Sequence, residues 1–253
     1  MSLPEKLLWG AATVCLVVTL ICLVALLVEA PPLLGMHPAM KPLKFAISIG
    51  LFLATMAILV PQLETSRFVR LALALVLVST NAVELGLIAL QAARGRTSHF
   101  NAGTPLDASI FAAMAIAIVV MVGAVVVISC LATFRDLGDD AATALAWRVA
   151  LWMFLLVAIT GFTMVSHGQH TVGASDGGAG LPVVNWSRAH GDLRIAHFIA
   201  LHALQTLPVF AVACRWLPVE ATTRVVVVAI ACIGYAGVSV AAFVAALNGR
   251  SLV

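Results

Sequence analysis

The sequence predicts an all-α polytopic membrane protein, a bundle of seven transmembrane helices with no water-soluble domain of any size. Three observations carry this. Only 10% of the 253 residues are charged and 62% are hydrophobic, whereas an ordinary soluble domain carries about 25% charged residues. The mean hydropathy is +1.11. Apolar runs of bilayer-spanning length, about 20 residues, recur along the whole chain. Backbone amides in hydrocarbon must be satisfied within their own segment, which makes each run a helix. The alternating segments of about ten residues that mark a membrane barrel are absent.

Punctuation by Pro, Gly and charge places the helices at 8–29, 44–61, 67–92, 108–133, 143–165, 193–215 and 224–247, one integral membrane domain over residues 1–253. The first run follows Lys6; it is too long for a signal-peptide core and lacks a good cleavage site, so it reads as a retained helix. The second ends at Pro61 and the third at Gly95. Gly103 with Pro105 opens the fourth, and Gly138 separates it from the fifth. The connector from Ser166 to Asp192 is the longest and is rich in glycine, so it belongs at the surface. Asp192 is placed to cap the sixth helix. Pro208 lies inside that helix, where it removes a backbone hydrogen bond and predicts a kink. Pro218 precedes the seventh.

An odd number of spans puts the termini on opposite sides. With the N-terminal side called A and the other B, Lys6, Arg67, Arg70, Arg135, Arg148, Arg215 and Arg224 fall on A. Lys41, Lys44, Arg94, Arg96, Arg188, Arg194 and Arg250 fall on B, so the positive-inside rule is balanced. Side A has the short connectors and Trp9, Trp147, Trp152 and Trp216, an interfacial belt. The expected location is therefore a cell membrane, a bacterial inner membrane, with the N-terminus cytoplasmic. The net charge of +3 is spread thinly, which excludes a nucleic-acid partner; the lipid bilayer is the expected surrounding. The cysteines lie in or beside apolar runs and form no C-x-x-C pair, so they read as small buried hydrophobes.

Function is read from polar residues. All seven histidines, His37, His99, His167, His170, His190, His197 and His202, fall on side B or in the side-B half of a helix. Helical spacing gathers Lys41, Lys44, Ser48 and Thr55 on one stripe, Asn81, Glu84 and Gln91 on another, and Thr160, Thr163, His167 and His170 on a third. His202 and Gln205 share a face, as do His190 and His197. Polar faces of membrane helices turn to the interior or to a wet cavity, so these stripes outline a vestibule open to side B.

Glu84 is the one acidic residue deep within a span. It needs a partner or a proton, because a lone carboxylate there costs about 2.5–3.5 kcal/mol on insertion scales. His202, at a similar depth, and Asn81 are the expected partners. With Gln205, Glu84 and Asn81 form the buried, proton-linked set.

Three functions fit. The first is a metal- or haem-binding redox or electron-transfer protein, with His167, His170, His197, His202 and His99 as ligands to haem b or to a copper, zinc or iron ion. The second is a proton-coupled transporter or channel for a small solute, although no inverted repeat is visible. The third is an enzyme acting on a lipid or quinone, with Lys41, Lys44, Arg94 and Arg96 holding an anionic head group. His167-Gly-Gln-His170 lacks the glutamate of the H-E-x-x-H zinc proteases. The helix count matches microbial rhodopsins, but residues 224–247 hold no lysine for retinal. The segments Lys41-Pro-Leu-Lys44-Phe45, Ser98-His99-Phe100-Asn101 and His202-Ala-Leu-Gln205 stand out without a catalytic pattern. The oligomeric state is not legible in the sequence.

Overall fold

The computed structural model describes residues 1–137 and 140–253. Among the described residues, seven helices are long and apolar enough to cross a membrane, and strand is confined to two residue pairs. The chain is an all-α integral membrane protein of seven spans. In chain order these are α1 (Leu3–Ala25), α2 (Met40–Leu59), α3 (Arg67–Ala93), α4 (Pro105–Phe134), α5 (Ala141–His167), α6 (Leu193–Ala213) and α7 (Ala221–Leu247). Gly138, read from sequence as a break between helices, lies outside the described residues.

The helices group into two compact units, Met1–Ala124 and Val125–Val253. In the first, α1, α2 and α3 pack on one another. α1 begins at Leu3, earlier than the apolar run implies, because Ser2 and Glu5 form a reciprocal capping box. Gly50 of α2 lets the two helices approach closely: a Cβ there would stand 3.0 Å from the Cβ of Cys15. Leu53, Met56, Leu59 and Leu77 fill the buried centre with Leu8. The start of α4 belongs to this unit, and its Ile110 and Met114 pack on Ile88 of α3.

A buried polar knot fixes that junction. The Asp107 carboxylate is 1% exposed and accepts hydrogen bonds from Gln91 Nε2 (2.9 Å), Arg94 Nη1 (2.9 Å) and Thr104 Oγ1 (2.8 Å). Arg94 also donates to the Gln91 carbonyl oxygen. The connector from α3 to α4 is thereby closed upon itself, which aims residues 97–101 back toward α3.

In the second unit α5, α6 and α7 pack on one another. The Asp140 carboxylate caps α5 through the N–H groups of Ala142 and Thr143 and accepts Arg215 Nε at 2.6 Å. Burial pushes the Asp140 carboxyl up, but the Thr143 hydroxyl and the Arg215 guanidinium outweigh this and hold it below the usual carboxylate range. α5 ends where Gly168 turns left-handed at φ 67°. The connector pairs Thr171–Val172 (β1) with Gly191–Asp192 (β2) antiparallel. Gly191 is required there, because any Cβ would overlap the Ala246 carbonyl of α7. Asp192 caps α6 as expected, accepting the Arg194 N–H at 3.0 Å.

Candidate functional site

The first unit brings together polar side chains from α2, α3 and the α3–α4 connector. Lys41 sits in the first turn of α2, where its stem can lie along the helix and carry the ammonium beyond it. Glu84 is 3% exposed on α3. It lies nine residues before the end of that helix, about 14 Å along its axis at 1.5 Å per residue. His99 lies in the folded-back connector, beside Phe100 in its left-handed turn at φ 55°. The imidazole joins the other two: His99 Nδ1 is 3.2 Å from Lys41 Nζ, and His99 Nε2 is 3.4 Å from Glu84 Oε1.

The protonation pattern follows from what each atom can do. A lysine ammonium only donates, so His99 Nδ1 accepts. A neutral ring then carries its hydrogen on Nε2 and presents it to Glu84. Ser98 Oγ also reaches Nδ1, at 3.1 Å. Three phenylalanine rings surround the imidazole, Phe45, Phe100 and Phe111, with centroids 5.8, 6.0 and 6.1 Å away. Lys41 Nζ lies 5.9 Å from the centre of the Phe45 ring. The other carboxylate oxygen, Glu84 Oε2, is buried with no hydrogen-bond partner among the described residues.

His99 thus stands where sequence reasoning placed His202 or Asn81. Asn81 instead donates to the Leu77 carbonyl of its own helix at 2.8 Å, and His202 Nδ1 meets Gln205 Oε1 at 3.2 Å. Of the cationic residues assigned to a head group, Arg94 belongs to the Asp107 knot and Lys44 lies 3.8 Å from the Met36 sulfur. Arg96 is exposed. Gln91, which shares the Glu84 stripe, serves Asp107.

The second unit gives His170, His197 and His202 separate hydrogen-bond partners. His167 ends α5 and is exposed. His170 Nδ1 lies 2.6 Å from Asp176 Oδ2, and the same carboxylate accepts the N–H groups of His170 and Thr171. Burial pushes the Asp176 carboxyl up, but the His170 side chain, by hydrogen bond and by charge, the His170 N–H and the Thr171 side chain hold it well below the usual carboxylate range. His197 Nδ1 is 2.9 Å from the Thr160 hydroxyl, which donates to the Val157 carbonyl and therefore accepts from the imidazole. His202 stacks on Phe198 at 4.2 Å, and Phe198 meets Trp186 edge to face at 5.4 Å.

Among the described residues, no three His, Cys, Asp or Glu side chains come together as a metal ion would need. Phe111 and Asp176 escaped the sequence reading, and Phe45, Ser98 and Phe100 stood out in it only as parts of segments without a role. They sit in connectors or carry no charge, so helical periodicity could not select them. Comparison with protein-family models, with curated proteins and with solved structures found no match.

Proposed function

We propose that this integral membrane protein handles protons at side B, with Glu84 as the buried acceptor and His99 and Lys41 as its connection to water. Protonation of Glu84 is coupled to binding or movement of a small solute. The observation that carries this reading is the row Lys41–His99–Glu84, with contacts of 3.2 and 3.4 Å.

The transfer balances as follows. Glu84 takes the proton from His99 Nε2 while His99 Nδ1 takes one from Lys41. Lys41, left neutral, is recharged from side-B water. One proton has then moved inward and the imidazole has changed tautomer. The tuning is electrostatic. Ionised Glu84 costs free energy so deep in a span, and the Lys41 charge offsets part of that cost only while Lys41 is an ammonium. The three phenylalanine rings keep water from short-circuiting the chain. A cell membrane with side A cytoplasmic, a bacterial inner membrane, remains our placement, on the strength of the short side-A connectors.

The test is proton uptake by proteoliposomes loaded with a pH-sensitive dye. Glu84→Gln keeps the shape of the acid and should abolish uptake. His99→Phe should slow it at least about tenfold, the usual worth of a positioned acid–base group being 10² or more. Wild-type rates in both variants would contradict the reading.

One observation favours a second reading, the redox one. The Asp176 carboxylate holds His170 through Nδ1, which leaves Nε2 as the ligating nitrogen, and metal-bound histidines are oriented in this way. Haem b or a copper, zinc or iron ion on His170, with His167, His197 or His202 of the same unit contributing, would show as a Soret band or as stoichiometric metal in the purified protein. A head-group role for Lys41, Lys44, Arg94 and Arg96 would use side B of the first unit, where Arg96 is exposed.

A further inference from the structure

We propose that α6 carries a second, lipid-side site that binds a flat aromatic ring bearing a hydroxyl group, of the hydroquinone class, and prefers the reduced ring to the oxidised one. The site is built on Phe198, His202 and Gln205, which share one face at i, i+4 and i+7, with Trp186 closing over Phe198 from the connector.

The polarity of the site follows from its hydrogen bond. Gln205 Oε1 is a carbonyl oxygen and only accepts, so His202 Nδ1, 3.2 Å away, is the donor. The neutral imidazole then presents a lone pair on Nε2. No described residue hydrogen-bonds to that nitrogen. His202 is nine residues past the start of α6, about 14 Å along the helix, so the nitrogen lies within the hydrocarbon. An acceptor left without a donor in hydrocarbon is costly. What reaches it there comes through the bilayer and must be lipophilic.

The neighbours select the shape. Phe198 is 46% exposed and stands 4.2 Å from the His202 ring, tilted by 57°. Trp186 adds an edge-to-face wall at 5.4 Å. Two aromatic faces beside an accepting nitrogen fit a planar ring that donates one O–H. The quinone form offers only carbonyl oxygens, which meet the Nε2 lone pair as acceptor against acceptor. The discrimination between reduced and oxidised rings resides in that one proton.

The experiment uses the full chain in phosphatidylcholine nanodiscs free of native lipids. A radiolabelled short-chain benzoquinol is titrated under argon, against its quinone and its dimethyl ether. Saturable binding of the quinol is expected, with quinone and ether at least about tenfold weaker, the worth of one lost hydrogen bond of about 1.4 kcal/mol. His202→Phe should weaken the quinol by a similar factor. Gln205→Leu releases the tautomer, so that Nε2 can donate, and should narrow the preference for quinol over quinone. Because Gln205→Leu reports on selectivity, it decides the matter even if His202→Phe fails to fold. Non-saturable partitioning, equal affinity for quinol and ether, or an unchanged preference in Gln205→Leu would each overturn the proposal.

Discussion

The smallest unit of the account is a single atom's role, and His99 illustrates it. Its Nδ1 faces a lysine ammonium and its Nε2 faces a carboxylate, so one ring is both acceptor and donor in a fixed sense. Asp176 fixes His170 by the same logic, and its pH dependence follows. The carboxyl of Asp176 is held well below the usual range, so its contribution is fully present above the unfolded value, about 3.9. It is lost as pH falls through that value toward the depressed one. Hydrogen exchange of the N–H groups of His170 and Thr171 should therefore be protected at neutral pH and lose protection only in acid below about pH 4. Asp176→Asn should lower protection at neutral pH and flatten that acid dependence. An acid profile unchanged in Asp176→Asn would assign the protection elsewhere.

At the scale of elements, helix ends position the chemistry. α3 and α4 are joined by a connector whose shape depends on Asp107, and that connector delivers His99 to Glu84. Asp107→Ala removes the short acceptor of the buried Gln91 amide and leaves it only the 3.4 Å bond to the Thr97 carbonyl, a cost of about 1–3 kcal/mol. Thermal melts in detergent should show a lower Tm. Proton uptake should fall with it, because His99 loses its placement, whereas a lowered Tm with full uptake would separate the knot from the site. The spans themselves were legible from apolar length and from Pro and Gly breaks. Glu84 was legible too, as a lone carboxylate in a hydrophobic run. Its partner was not. Helical periodicity ranks residues on helices, and His99 reaches Glu84 from a connector whose path is set by long-range hydrogen bonds to Asp107. One ring of the wall around His99 was hidden for a different reason: Phe111 looks like an ordinary lipid-facing residue until the connector folds onto it.

The whole molecule is an integral membrane protein of seven spans. Its lysines and arginines divide evenly between the two sides, so orientation rests on connector length. Reporter fusions at Glu64 and at Gly178 should report opposite compartments, with Glu64 cytoplasmic; matching signals would contradict the odd number of spans. If Glu84 exchanges a proton through His99 and Lys41, infrared difference spectroscopy of the carboxyl band reads it directly. A pH step applied to the full protein in nanodiscs should raise or bleach one buried carboxylic-acid band. That band should vanish in Glu84→Gln, and its midpoint should move up in pH in Lys41→Met, where the offsetting charge is gone. A band present in Glu84→Gln, or a midpoint indifferent to Lys41, would contradict the account.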